Sequence, residues 1–551
     1  MKDVKLINAG AGSGKTFELT SRVAEALESG VEPETLMATT FTIRAASELR
    51  ERIRLNLLAQ GRSEEAQGIY DGFIGTLHSI CGRLLTEYAL EAGLSPALDV
   101  LPEEDAEHLF RRATTDVIEE RARDIEPAAR RLGYDGGGTG YQKRPDWRKA
   151  VQEVVSAART NLIDRTSLEQ SADASLESLF DLLGPEGHRN LTDRFRRAVD
   201  RTVADLSQVE NPMKATQGAV STLQELAQGL KRPDRLPWAD WVRTSKLSVN
   251  KAEEAIVEEV REIAAGVLGH PDLRDDLRVL VHGVFGCAAK ALDSYQGFKR
   301  EQGLMDFVDQ ERQVLDLARD NPAFRVALGD RLAQMMVDEF QDTSPIQLAL
   351  FLRLHDLAGS SVWVGDPKQA IYGFRGTDPE LMTEITRRIP EPAALPFSWR
   401  SRKGLVDFCN AVFAEVFQES DKNPVSLQIP EQRGESAHGG WVEAWNLSAR
   451  NINDEASALA AGVAKLLARQ PGIRPGDVAI LCRTHDDRKL LATALEALGI
   501  RASASRGSLI DTREGRLALA ALQYLHDPED TVALATIVRI STAGSGGPGW
   551  L

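Results

Sequence analysis

A glycine-rich loop held between a strand pattern and a helix pattern constrains this chain more than any other feature. Ala9, Gly10, Ala11, Gly12, Ser13, Gly14, Lys15 and Thr16 follow the apolar run at residues 4–7 and precede a helical pattern that starts near Phe17. Glycines let a backbone turn its N–H groups inward around phosphate oxygens, and the helix N-terminus adds positive potential. In such a loop Lys15 neutralises the terminal phosphates and Thr16 offers a hydroxyl to Mg²⁺. The usual pattern has glycine where this chain has Ala9, which is tolerable if that residue keeps a negative φ.

The loop needs a sheet behind it, and the sequence supplies one. Apolar, β-branched runs recur at residues 4–7, 36–41, 335–337, 361–364 and 478–482, each bounded by turn or helix-start signals. Between them lie amphipathic patterns such as residues 44–58, where Ala45, Ala46, Leu49, Ile53 and Leu57 share a helical face. Strands alternating with helices predict an α/β protein with a parallel sheet covered on both faces. From about residue 91 to 310 the strand signals nearly vanish, which predicts a helical insertion. A Pro- and Gly-rich stretch at 423–440 reads as a connection into a second α/β unit, with helices at about 453–467 and 489–498 around a strand at 478–482. The expected division is a first α/β domain in two parts (1–95 and 296–400), an insertion at 96–295, a partial second domain at 401–510 and the start of another insertion at 511–551.

Composition narrows the classes without choosing among them. The 82 acidic and 66 basic residues leave a net charge of −16, the wrong sign for a protein that coats itself in nucleic acid, although a local groove with stacking aromatics can grip a single strand on an acidic molecule. The longest apolar runs fall short of the roughly 18 residues that a membrane span needs. The N-terminus lacks the pattern of a signal peptide, so the cytoplasm is the expected compartment. The four cysteines are isolated from one another and read as reduced core thiols.

Two further segments carry chemistry. Asp338 and Glu339 emerge from the run at 335–337; such a pair can hold Mg²⁺ through one carboxylate, here Asp338, and polarise the attacking water through the next. Gln369 follows the run at 361–364, and a neutral amide there can sense the γ-phosphate or the attacking water. Tyr372, Phe374 and Arg375 come just after it, either as packing or as a face for a base stack.

In order and spacing, these segments resemble the helicase motifs of the UvrD/Rep-type superfamily 1 DNA helicases, together with 40–42, 45–46, 75–78 and 398–401. The resemblance covers most of the chain outside the insertion. The Trp399-Arg400-Ser401 wording looks closer to the RecB/AddA branch. It implies a P-loop RecA-like fold with a partial second RecA-like domain, and an ATP- and Mg²⁺-dependent DNA helicase of repair or recombination that moves 3′ to 5′. Carried over by position, Arg400 reaches the γ-phosphate, Trp399 stacks on adenine and Arg22 lies near the nucleotide. Phe41, His78, Tyr372, Phe374 and Arg375 line a single-stranded DNA track. The implied partners are single-stranded DNA, duplex junctions and a companion subunit of a helicase–nuclease complex. Two later motifs of the family do not occur in this sequence. A nucleotide-gated DNA-binding ATPase without unwinding of its own therefore stays open beside the helicase, as does a P-loop ATPase unrelated to DNA.

Overall fold

The computed structural model of the chain describes residues 4–95, 99–138, 143–187, 190–232, 236–373, 376–389, 393–419, 425–503 and 513–542. Six strands form one parallel sheet: β1 (Val4–Ala9), β2 (Leu36–Thr40), β3 (Phe73–Thr76), β6 (Gln334–Val337), β7 (Ser360–Gly365) and β8 (Ala393–Leu395), in the spatial order β3-β2-β6-β7-β1-β8. The expected runs at 4–7, 335–337 and 361–364 lie within strands of this sheet, and the run at 36–41 does so as far as Thr40. The strands β4 (Asp99–Val100) and β5 (Leu304–Met305) pair with each other alone.

Residue alternation explains why the sheet is buried on both faces. Val4, Leu6, Met335, Val337 and Trp363 face a core with the helices Leu77–Glu87, Phe307–Asp320 and Pro345–Ala358. Ile7, Ala9, Met336, Val362 and Val364 face a second core with the helices Lys15–Glu28 and Ile43–Ala59. Successive side chains of a strand point to opposite faces, so continuous apolar runs are what a sheet covered on both sides requires.

The expected insertion is helical. Helices Glu103–Leu132, Trp147–Thr160 and Arg165–Leu183 pack on the long helix Pro271–Glu301, and a second core joins the helices Leu191–Leu206, Lys214–Gly229 and Glu254–Ala265. The two ends of the insertion meet where β4 pairs with β5, Asp99 opposite Leu304. A cluster of charges binds its return to the sheet. Lys299 Nζ lies 2.7 Å and Arg159 Nη2 2.5 Å from the two oxygens of Asp306, while Arg159 also holds Asp309 at 2.8 Å. Burial alone would push the Asp306 carboxyl up; the Arg159 and Lys299 cations hold it well below its ordinary range. Asp306 and Asp309 form the capping box of helix Phe307–Asp320, so one cluster fixes three helices.

The chain divides into two compact units, Met1–Gly440 and Trp441–Leu551. In the second, helices Ile452–Arg469 and His485–Ala497 pack through Ala460, Val463, Leu491 and Leu495, and helices Arg513–His526 and Thr531–Thr542 also lie together. The expected strand at 478–482 is a correction: the segment follows a turn at Pro475–Asp477 but belongs to no ladder among the described residues, and Leu481 is 97% exposed. Local β propensity makes a strand only where a neighbour supplies hydrogen bonds. Among the described residues, no helix is long and apolar enough to cross a membrane.

Candidate active site

Strand order gathers residues that are remote in sequence. In the first unit β1 lies between β7 and β8, with Asn8 opposite Gly365 and Ala9 opposite Leu395, while β6 flanks β7 with Val337 opposite Trp363. All strands run the same way, so the segments that follow them leave from one edge of the sheet, where open α/β sheets bind ligands.

At that edge the glycine-rich loop takes a phosphate cradle's shape. Ala9 is the last residue of β1, fully buried and without a positive φ, as its replacement of glycine demands. Gly12 and Gly14 are left-handed, φ 74° and 94°, and helix Lys15–Glu28 starts from Gly14 with no side-chain cap. The hydroxyl of Ser13 is buried and has no hydrogen-bond partner. An uncapped helix N-terminus with an orphaned donor beside it suits an anion.

Lys15 Nζ lies 2.6 Å from Glu339 Oε2, across 324 residues of sequence. Glu339 is itself left-handed (φ 51°), an unusual backbone for a non-glycine residue, and its carboxylate also accepts from Gln341 Nε2 at 2.7 Å. Asp338 accepts from the Glu339 N–H at 3.0 Å. Burial and the neighbouring Glu339 charge push the carboxyls of both Asp338 and Asp342 up to about 6. Three crowded carboxyls facing one ammonium form a set that a divalent cation relieves. Among the described residues no group of three or more His, Cys, Asp or Glu is arranged to hold a metal by itself, and Mg²⁺ commonly uses only one or two protein carboxylates beside phosphate oxygens and waters. The acidic residues present therefore fit a Mg²⁺-bound triphosphate, whose cation would supply charge neutralisation at the phosphates.

Gln369 and Arg400 join the same edge. Gln369 Nε2 donates to Asp366 Oδ2 at 2.6 Å. Gln341 ties this loop to the acidic pair: its Oε1 accepts from the Asp366 N–H at 2.9 Å while its Nε2 holds Glu339. On the other side, the Trp399 N–H donates to Gly12 O at 2.8 Å. A Cβ placed on Gly12 would stand 2.7 Å from Arg400 Cβ, and one on Gly14 would stand 3.2 Å from Trp399 Cδ1. Both Trp399 and Arg400 are exposed. Arg433 fixes their loop by donating to the carbonyls of Ser398 and Ser401 at 3.1 and 2.7 Å.

Arg22 is held on its own helix by Glu18 at 2.9 Å and Glu25 at 3.2 Å. The aromatic residues divide between two places. Phe41, just after β2, stacks on Tyr372 with centroids 5.0 Å apart. His78, in the first turn after β3, stacks on Phe307 at 4.3 Å and meets Glu311 Oε1 at 3.0 Å. Phe374 and Arg375 lie outside the described residues. Sequence reasoning assigned no role to Gln341, Asp342 or Asp366, although the first two stand within the acidic segment it singled out. It missed Glu311, whose partners His78 and Gln347 come from two other helices. Two cavities, of about 340 and 650 Å³, open around Trp238 and Asp240 in the insertion; converging side chains, not enclosed volume, mark the candidate site.

The sequence matches the UvrD/REP helicase N-terminal domain over residues 1–265 and 286–390, well over half its length. The chain belongs to the UvrD/REP helicase family. A UvrD-like helicase C-terminal domain matches residues 394–547 of this family member, so the stretch from 394 to 440 is C-terminal by sequence yet packs with the first compact unit. Similar proteins include an ATP-dependent helicase/nuclease subunit from Streptococcus thermophilus, 23% identical over 97% of this chain and 49% of the relative. Its namesake from Levilactobacillus brevis is 24% identical over 98% and 50%, and that of Streptococcus pyogenes 25% over 75% and 37%. This helicase-family chain thus spans about half the length of the curated relatives it matches.

Proposed function

We propose that this chain is the ATP-hydrolysing motor of a DNA helicase of repair or recombination, moving 3′ to 5′ on single-stranded DNA in the cytoplasm. It would act with a companion chain in a helicase–nuclease complex, in keeping with the name of its helicase/nuclease relatives. The 2.6 Å contact between Lys15 and Glu339 carries the reading. A lysine of a phosphate loop and a strand-end carboxylate meet where a nucleoside triphosphate would separate them. In this reading the loop N–H groups and Lys15 bind phosphates, and Thr16 and Asp338 hold Mg²⁺. Glu339 orients and deprotonates the attacking water, Gln369 senses the γ-phosphate, and Arg400 stabilises charge as it builds on the transferred group. Trp399 offers its indole to the base, and Arg22 lies near the nucleotide. Phe41, His78, Tyr372, Phe374 and Arg375 form the DNA track, where each stacked base contributes about 1–3 kcal/mol with little regard to sequence.

The test is ATP hydrolysis with and without oligo(dT), followed by strand displacement on a 3′-tailed duplex. Turnover raised by oligo(dT) and abolished in Lys15→Ala, with ATP-dependent displacement, supports the motor. Turnover indifferent to DNA sinks it in favour of an unrelated P-loop ATPase. DNA-stimulated hydrolysis without displacement assigns the chain to a nucleotide-gated DNA-binding module.

A further inference from the structure

We propose that Glu311 is a positioning residue that ties the DNA track at His78 to the segment carrying Asp338 and Glu339; the proposal rests on the reading of His78 as a DNA-facing residue. Glu311 sits in helix Phe307–Asp320 with its side chain only 3% exposed. Its Oε1 atom has two partners. His78 Nε2 lies at 3.0 Å, and Gln347 Nε2 donates at 2.7 Å. A carboxylate so deeply buried depends on such partners, because losing them leaves a charge without solvation.

Each partner leads to a different part of the molecule. The His78 ring is covered on one side by Phe307, nearly parallel at 12°, and its side chain stays 38% exposed, which leaves a face open for a base. Gln347 leads inward. Its Oε1 accepts from the Ser344 N–H at 3.2 Å, and its own N–H donates back to Ser344 Oγ at 3.4 Å, closing the capping box of helix Pro345–Ala358. Ser344 stands two residues past the Phe340–Asp342 turn that follows the acidic pair. A base stacked on His78 therefore bears on an oxygen shared with the cap directly behind the site of hydrolysis. One atom serving both partners makes the two positions compete: a shift of the imidazole changes the hold on Gln347, and with it the setting of the turn. Packed hydrogen-bond networks of this kind carry coupling between sites when they have alternative arrangements.

The discriminating measurement is the ratio of oligo(dT)-saturated to DNA-free ATP turnover in the full chain, for wild type, Glu311→Met, Glu311→Gln and Gln347→Met. Gln keeps an acceptor oxygen at the shared position; Met removes it. The expected result is that Glu311→Met and Gln347→Met each lose at least about fivefold of the DNA stimulation, the lower end of ordinary coupling between sites. Their DNA-free turnover stays near wild type, and Glu311→Gln retains the stimulation. Wild-type stimulation in Gln347→Met overturns the proposal, and so does a proportional fall of both rates in Glu311→Met, which a merely structural role would produce. If Glu311→Met does not fold, Gln347→Met alone decides. A wild-type chain that fails to respond to oligo(dT) instead refutes the DNA reading on which the proposal rests.

Discussion

Replacing Gly12 by alanine separates the phosphate loop from the Trp399–Arg400 loop by a single methyl group. Two costs add. The φ of 74° is left-handed, which costs a residue with a Cβ about 1 kcal/mol. The new Cβ would also stand 2.7 Å from Arg400 Cβ, an atom fixed to its own backbone and unable to swing aside. The 399–401 backbone must retreat, and the bond from the Trp399 N–H to Gly12 O, 2.8 Å long, lies in its way. Losing that bond removes about 1 kcal/mol more. Gly61 offers a matched control, because its φ is 76° and nothing lies within 4 Å of a Cβ placed there. Gly61→Ala thus carries the conformational cost alone. Hydrogen exchange of peptides covering residues 397–401 reads the difference: protection should fall about fivefold or more in Gly12→Ala and stay unchanged in Gly61→Ala, since about 1.4 kcal/mol of opening free energy is tenfold in exchange. Affinity for a fluorescent ATP analogue should weaken in parallel. Equal protection in both variants would refute the argument that the two loops are held by close backbone approach.

Three other outcomes follow from the same geometry. Glu339→Gln should lower ATP turnover by about 100-fold or more while a fluorescent ATP analogue still binds; retained turnover would remove Glu339 from the chemistry. Burial and the Glu339 charge raise Asp338 to about 6, so the folded state holds that proton more tightly than the unfolded chain. The stabilisation is fully present below the ordinary aspartate range and is lost as pH rises through about 6, by up to about 3 kcal/mol. The melting temperature of the nucleotide-free wild type, relative to that of Asp338→Asn, should therefore drop across this window, and a flat difference would contradict the assigned burial. Lys299→Met leaves Asp306 short of a cation in a site where the lysine side chain is 3% exposed; breaking a buried pair typically costs about 3–5 kcal/mol, so thermal melting should show a clear fall, and an unchanged melting curve would argue against the cluster as the clasp of the insertion.

The parts of this protein that were legible from sequence are those whose signal is local. The runs at 335–337 and 361–364 announce strands because both faces of the sheet are covered and, Ser361 aside, their positions are apolar. β3 and β8 escaped notice: Phe-Ile-Gly-Thr and Ala-Ala-Leu are too short to show a pattern, and their neighbours β2 and β1 hold them in place. The run at 478–482 misled for the opposite reason, since β-branched content without a bonded neighbour does not make a strand. In the candidate site, Lys15, Asp338, Glu339 and Gln369 follow strands that the sequence announced, whereas Arg400 follows β8, which it did not. The pairing of Arg22 with Glu18 and Glu25 was visible in the spacing of four and three residues, a signal of helical ion pairs. The Glu311 contacts were not visible, because only the packing of distant helices creates them.

The place of β1 between β7 and β8 bears on how the protein is made. Strand β1 finds its hydrogen-bonding neighbours only after some 360 further residues have been synthesised, with register from Val4 to Ser361 and from Ile7 to Ala393. Meanwhile β2 and β3 can pair early, and the helices of the insertion can settle on their own. A segment as apolar as Leu6 and Ile7 would wait exposed until those residues emerge, the circumstance in which nascent chains are most prone to stick to one another. Removing β8 should therefore harm the yield of soluble protein far more than its three residues suggest.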